Sequence, residues 1–301
     1  MTTPKNMTFE EEKTTSKKKR RSQGAEIWSR MCKNKGAMVG LVIVVLLTLL
    51  ALFADVLFDF DTQISAINAK ARLVPPCWEH PFGTDTYGRD LFCRVLYGTK
   101  YSFFIGLAAT AFATVIAVPI GAAVGYFGGT VEEVVMRIMD VLTAVPSILM
   151  GIVVVSALGA NMINLIIAIG ITGIPGKVRL SRVAVMTVKN NEFIESARAI
   201  GMRERDIIAR HVLPNCLSPI IVSVTLSVAG AIVSASSLSF LGLGVPVPSP
   251  EWGALLSAGR ATIRTASWLT LFPGLAILIT VLALNLMGDG LRDALDPKLR
   301  K

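Results

Sequence analysis

Residues 141–176 read VLTAVPSILMGIVVVSALGANMINLIIAIGITGIPG, a run of 36 residues without a charge. A helix crosses the hydrocarbon core of a bilayer with about 20 apolar residues, so the run is too long for one crossing and too short for two. Gly159-Ala160-Asn161 interrupts it with turn chemistry. The stretch therefore reads as the end of one span and most of the next. Further uncharged runs at 36–54, 101–131, 212–250 and 265–288 supply the other spans. The predicted spans are 36–58, 100–126, 132–157, 162–186, 213–239 and 268–289, six in all. Composition agrees: 52% of residues are hydrophobic, 17% are charged and mean hydropathy is +0.60, whereas soluble domains carry about 25% charge. A large soluble core helix would show a polar face, and these runs have none. The chain reads as an all-α membrane protein.

Orientation follows from the placement of Lys and Arg. Ten precede residue 36, eight lie in 177–211, four in 292–301, and Arg137 lies in the turn before the third span; 59–100 holds five and 241–267 two. The balance is 23 against 7. With six spans, both termini are predicted to be cytoplasmic, and so is the segment between spans four and five. The net charge of +9 then serves topology and contact with anionic membrane lipids. Nucleic-acid binding is not expected, because residues 1–21 offer no fold to present their basic run.

Residues 1–25, rich in Lys, Thr, Ser and Glu, are expected to be disordered. Residues 25–35 are expected to form a basic interfacial helix with Trp28 at headgroup level. The first apolar run is longer than a signal-peptide core and lacks a clean cleavage site, so it is read as an uncleaved span. The external loop 59–98 contains Pro75, Pro76 and Pro81, and its end, 90–97, suits an amphipathic helix leading into span two. Cys77 and Cys93 share that loop and are open to pairing, though nothing demands it; Cys32 and Cys216 stand apart. Small residues crowd span two, including Gly106, Ala113, Gly121 and Gly125, and permit close helix packing. Pro119, Pro146, Pro175, Pro219 and Pro273 each permit a kink.

No catalytic or metal-binding constellation is evident. His80 and His211 fall on opposite sides of the membrane in this topology and cannot share a metal. No Ser or Cys has an evident base beside it. The nearest approach to a nucleotide loop, Gly170 to Val178, places five residues between Gly170 and the Gly176-Lys177 pair, where a Walker loop has four, and puts Val178 where Ser or Thr would hold magnesium. The chain is not expected to be an enzyme, and no cofactor is assigned to it. Arg137 and Asp140 share a helix face and are read as an interfacial ion pair, with a role on a substrate path as the alternative.

The charged segment 190–214 is the exception on this apolar chain. Asn191 is placed to cap a helix, with Glu192 and Glu195 in its first turn. Phe193, Ala197 and Ile200 recur at i, i+4 and i+7 and are read as its packed face. Gly201 ends that helix, and 202–210 restarts one with Ile207 and Ile208 as its apolar side; Pro214 follows near the start of span five. By pattern alone, two readings stay open: a structural hairpin, or a docking surface for a soluble partner.

Glu195-Ser196-Ala197, Gly201, the pair Ile207-Ile208 and His211-Val212-Leu213-Pro214 resemble the EAA loop of ABC-importer permeases, with Ser196 where alanine is usual. Phe82-Gly83-Thr84-Asp85-Thr86-Tyr87-Gly88-Arg89-Asp90, leading to Arg94 and Tyr97-Gly98, is similar to the segment before span two in C-type permeases of dipeptide, oligopeptide and nickel importers. Phe240 to Gly244, Pro250-Glu251-Trp252-Gly253, Phe272-Pro273-Gly274 and 288–297 point to the dipeptide branch. The resemblance covers roughly residues 30–299.

The resemblance implies the type I (MetI-like) permease fold in a bacterial cytoplasmic membrane. It divides the chain into a basic tail and interfacial helix (1–35), a first span with its external loop (36–98), a permease core (99–289) containing a coupling loop (187–214), and a cytoplasmic tail (290–301). It implies an ATP-driven importer of peptides. A second homologous permease would complete the path, two ABC ATPase subunits would bind ATP and magnesium below, and an extracytoplasmic binding protein would deliver cargo. The coupling residues it implies are Glu195, Ser196, Ala197, Gly201, Ile207, Ile208, His211, Leu213 and Pro214. A nickel or metal-chelate importer is the alternative within the family. A stand-alone secondary transporter or channel would call for mid-span carboxylates, and only the interfacial Asp55 and Asp140 come close.

Overall fold

A computed structural model describes residues 23–295. The basic run at 17–21 and the last residues of the C-terminal tail lie outside the described residues. Among those described there are helices and no strands, apart from a single bridge between Thr84 and Asp90. A short helix α1 (Gln23–Met31) precedes the long apolar helices α2 (Lys35–Leu57), α3 (Leu91–Phe127), α6 (Met162–Val188), α9 (Leu213–Phe240) and α11 (Trp268–Leu295). Between them lie α4 (Gly129–Ala144), α5 (Ser147–Leu158), α7 (Glu192–Ala199), α8 (Glu204–Ile207) and α10 (Trp252–Gly259). Five helices are long and apolar enough to cross a membrane, and the pair α4 and α5 makes a sixth crossing if counted together.

The third span departs from the single helix expected over 132–157. It is broken at Val145-Pro146, where α4 and α5 meet at 87°. Pro146 has no N–H to continue the ladder and holds Val145 in an extended conformation (φ −91°, ψ 129°). Alone, α5 is about 18 Å long, short of the roughly 30 Å hydrocarbon core. The other four span prolines remain inside their helices. Two boundaries also move. The amphipathic stretch after Asp90 is continuous with span two, so α3 is one rod of 37 residues. The last span runs on to Leu295, so 290–295 is helix and not tail.

The most extensive helix contact is between α3 and α6. Gly121 and Gly125 of α3 make it possible: a Cβ at Gly121 would lie 2.5 Å from the carbonyl oxygen of Val178, and one at Gly125 2.6 Å from that of Arg182. Backbone thus meets backbone, as small residues allow in lipid, where packing must replace the hydrophobic drive. Gly106 makes room for the Ile232 side chain of α9. On the other flank, α2 lies antiparallel to α11; Gly40 sits against Ala283 and Met287, and Gly290 against Ala37. Helix α1 packs onto this pair through Ile27, Met31, Leu291 and Ala294.

Asp140 corrects a further expectation. Its carboxylate accepts from Arg179 of α6 at 2.9 Å, so the ion pair ties α4 to α6 and is not made with Arg137. Arg182 and Glu132 add a second tie between the same helices. Cys77 and Cys93 both carry free thiols, the first exposed and the second half-buried.

The α3–α6 seam yields a test of the fold. Gly125→Val should destabilise the detergent-solubilised protein by about 3 kcal/mol or prevent its folding, since overpacking against backbone has little room to relax. Gly230→Ala, where a Cβ would meet nothing within 4 Å, should leave the thermal midpoint unchanged.

Candidate functional site

The charged hairpin between α6 and α9 is held at the end of the bundle by a buried cluster. Ile194 and Ala197 of α7, Ile207 of α8 and Val212 pack on Ala122 and Tyr126 of α3, Val185 of α6, and Cys216 and Ile220 of α9. Ile194 is 0% exposed, whereas Phe193 is 43% and Ile200 78% exposed. The packed face expected from sequence is therefore rotated. Ala197 stays in it, Ile194 takes the place of Phe193, and Phe193 and Ile200 face outward. The reason is geometric: the helix is only 8 residues long, so a two-residue i, i+3 stripe covers the bundle and the third apolar residue falls beyond its end.

A polar clamp reinforces the cluster. The Tyr126 hydroxyl donates to Glu204, and the Arg198 guanidinium lies 5.2 Å from the Tyr126 ring and 3.5 Å from the Glu204 carboxylate. The phenol hydrogen bond favours the charged form of Arg198, raising its pKa further above an already high value. Gly201 makes the joint between α7 and α8 at φ +79°, in the left-handed region that glycine adopts without strain. Asn191 is the N-cap residue of α7 by backbone position, but its side chain makes no capping bond. After Ile207 the chain continues as a π-helical turn, Ile208–Val212, into α9.

The nine residues singled out from sequence thus divide. Ala197 and Ile207 are buried and hold the hairpin to the bundle; Ile208, His211 and Leu213 are half-buried; Glu195, Ser196, Gly201 and Pro214 are exposed. Ser196 turns its hydroxyl back onto the Glu192 carbonyl at 2.9 Å, which leaves the outward surface to its neighbours. Sequence reasoning missed Tyr126, which lies 78 residues from Glu204. Its only signal was a tyrosine at the polar end of an apolar helix.

The other quoted motifs meet at the opposite end of α3. The Asp85 carboxylate accepts from the backbone N–H groups of Tyr87 and Arg89 and from Arg89 Nε, all within 3.0 Å. Arg94 donates to the Ile64 carbonyl at 2.6 Å. Phe82 stacks on Phe272 with centroids 3.9 Å apart, and Trp268 Nε1 donates to the Thr84 carbonyl at 3.3 Å. Gly98 lies against the backbone of Pro250, and Trp252 Nε1 donates to the Val95 carbonyl at 2.9 Å. Glu251 is fully buried, yet it accepts from the N–H groups of Gly253 and Ala254 and from Ser102. The helix N-terminus compensates its charge. These residues brace the loop, with most of their polar groups bonded to nearby backbone.

Between the two ends, α3, α6 and α9 enclose one side of a cavity of about 510 Å³. Small and hydroxyl-bearing residues line it, including Thr110, Thr172, Ser223, Ser227 and Ser234.

Residues 117–301 match the family described as "Binding-protein-dependent transport system inner membrane component". The chain belongs to this family. Residues 22–76 match the N-terminal transmembrane domain of oligopeptide transport permease C. The chain is 44% identical over 275 residues to the dipeptide transport system permease protein DppC of Alkalihalophilus pseudofirmus, covering 91% of this chain and 90% of that one. It is 42% identical over 281 residues to the di/tripeptide transport system permease protein DppC of Pseudomonas aeruginosa, covering 91% and 92%. To the glutathione transport system permease protein GsiD of Escherichia coli O157:H7 it is 44% identical over 283 residues, covering 91% and 90%. The fold matches that of a chain of the MetNI methionine ABC transporter in an inward-facing conformation, with a TM-score of 0.57 at 16% identity, over 67% of this chain and 96% of that one. The protein is thus a multi-pass inner membrane component with a MetI-like permease fold.

The brace provides its own test. Glu251→Ala removes the cap of α10 and leaves the N–H groups of Gly253 and Ala254 and the Ser102 hydroxyl without their acceptor, at a cost of about 2 kcal/mol. Thermal unfolding of the solubilised protein should show the loss. Glu251→Gln, which keeps an acceptor oxygen, should recover part of it.

Proposed function

We propose that this chain is one permease half of an ATP-driven peptide importer, and that residues 187–214 form the cytoplasmic surface on which an ATPase subunit docks. One observation carries the docking assignment. The hairpin is fixed to the bundle by Ile194, Ala197, Ile207 and Tyr126, while Phe193 and Ile200 stay exposed. An apolar pair left outward on a short, anchored helix suits burial in a partner's groove. The excess of Lys and Arg on the hairpin side of the chain, 23 against 7, supports a cytoplasmic position for the hairpin and both termini.

The hairpin joins α6 directly to α9, and both line the cavity. Closure of two ATPase subunits around ATP and magnesium would draw this hairpin toward that of a second, homologous permease. Because the hairpin is clamped, the displacement passes to the spans as a rigid-body movement, a two-state change biased by a ligand on another subunit. An extracytoplasmic binding protein would deliver cargo at the braced end. Hydrolysis belongs to the ATPases, and this chain supplies the path. Peptide as the cargo rests on the relatives, whose names specify dipeptides, di/tripeptides or glutathione.

Gly201→Pro and Glu195→Lys probe the coupling surface without touching a span. Proline cannot adopt the φ of +79° at the joint, and lysine inverts an exposed charge of the same short helix. In proteoliposomes with all subunits, either change should lower import more than tenfold, a loss of at least about 1.4 kcal/mol in coupling, while the subunits still co-purify. Import at the parental rate would remove the hairpin from the coupling role. The purified chain alone should not hydrolyse ATP, and robust hydrolysis by it would contradict the division of labour.

A further inference from the structure

Among the residues lining the 510 Å³ cavity, Lys177 alone is charged. It is 8% exposed, and no carboxylate of the described residues lies within ion-pair distance of it. The helix around it makes that absence informative. Arg179 and Arg182, further along α6 toward the hairpin, have Asp140 and Glu132 as partners. Lys177 lies about 22 Å from the Met162 end of α6 and about 16 Å from the Val188 end, by helical rise, in the hairpin-side half of the helix and directly after the uncharged run that ends at Gly176. Its ammonium folds back one turn beside Gly173, where an added Cβ would come within 3.7 Å of Nζ. Thr110, across the same cavity on α3, has a buried hydroxyl oxygen without a hydrogen-bond partner. A cation that faces a cavity on the path through the bundle, with no carboxylate of its own chain beside it, is a candidate ligand contact.

We propose that Lys177 is a specificity-determining residue of the translocation path, and that its ammonium receives the terminal carboxylate of the passing peptide. The proposal rests on the peptide-importer reading given above. A peptide in water carries a carboxylate whose desolvation opposes entry into the membrane. An ammonium set in the cavity wall offsets that cost with a charge-assisted hydrogen bond. The cavity volume falls within the range of about 300–1,000 Å³ usual for small-ligand sites. The hydroxyls of Ser223, Ser227 and Ser234 supply sequence-neutral contacts along the same wall. A cation that recognises a backbone terminus, among short hydroxyls, accepts peptides irrespective of their side chains. Selection among peptides is then left to the delivering protein.

The test uses the complete importer in proteoliposomes. Two cargos are supplied at saturating binding protein: a dipeptide with a free carboxylate, and the same dipeptide as its C-terminal amide. Lys177→Gln should slow import of the free dipeptide about tenfold and leave import of the amide and the cargo-free ATPase rate at parental values. Lys177→Arg should restore import of the free dipeptide. Equal losses on both cargos would assign Lys177 to an acidic group on the second permease and overturn the proposal, as would a fall in cargo-free ATPase or assembly. A Lys177→Gln importer as fast as the parent overturns this assignment alone. A parental importer inert toward both cargos overturns the peptide reading and this assignment with it.

Discussion

The backbone of α3 lies on the backbone of α6 because Gly121 and Gly125 have no side chains, and the positions of the hairpin and of the braced loop follow from that seam. In lipid the usual apolar driving force between helices is missing, so close van der Waals contact has to hold the bundle together. Two glycines one turn apart supply it, and Gly106 extends it to α9. Helix α3 is about 55 Å long by its helical rise, longer than the membrane needs. Its surplus emerges at both ends. At one, Tyr126 clamps Glu204 of the hairpin; at the other, Arg94, Val95 and Gly98 hold Ile64, Trp252 and Pro250. A single rod thus connects the braced end to the hairpin.

Much of this architecture was legible as pattern. Uncharged runs locate the long helices, though α3 begins nine residues before the expected start at 100 and α11 ends six after the expected end at 289, and Gly128-Gly129 and Gly159 punctuate them as their positive φ values require. Local rules failed where a competing contact decided the outcome. Pro146 reads as a kink like the other span prolines, yet the chain there breaks by 87°. Helix α4 carries Glu132, Glu133, Arg137 and Asp140 on 16 residues, and its pairing with Arg179 and Arg182 favours a course across α6 over one through the apolar core. Asp140 illustrates the limit of i, i+3 reasoning, because its partner lies on another helix.

The hairpin shows the same limit at the scale of one helical turn. A helical repeat fits Phe193, Ala197 and Ile200 as well as it fits Ile194 and Ala197, and only the surface beneath selects between them. Helix α7 is too short for a wide apolar stripe to settle the matter. Glu195, Gly201 and Pro214 were singled out by resemblance to the EAA loop, and the structure leaves all three exposed. Tyr126 was not singled out, since its role exists only once α3 is placed beside α8.

The two ends of the molecule treat polar groups differently, and that difference bears on mechanism. At the braced end Asp85 binds Arg89, Arg94 reaches the Ile64 carbonyl, and Glu251 accepts from the N–H groups of Gly253 and Ala254, so most of their polar groups are engaged inside the fold. At the hairpin end the buried groups are apolar and satisfied, while Glu195, Phe193 and Ile200 remain open. The cavity between them is walled by α3, α6 and α9 on one side and is open on the other. A stiff rod that joins a closed end to an open one transmits displacement with little loss, since packed interiors shift between discrete arrangements and do not deform continuously. On the proposed reading, a second permease supplies the other wall. Movement of the hairpin would therefore change the cavity by shifting one wall relative to the other, with the internal packing of each left intact.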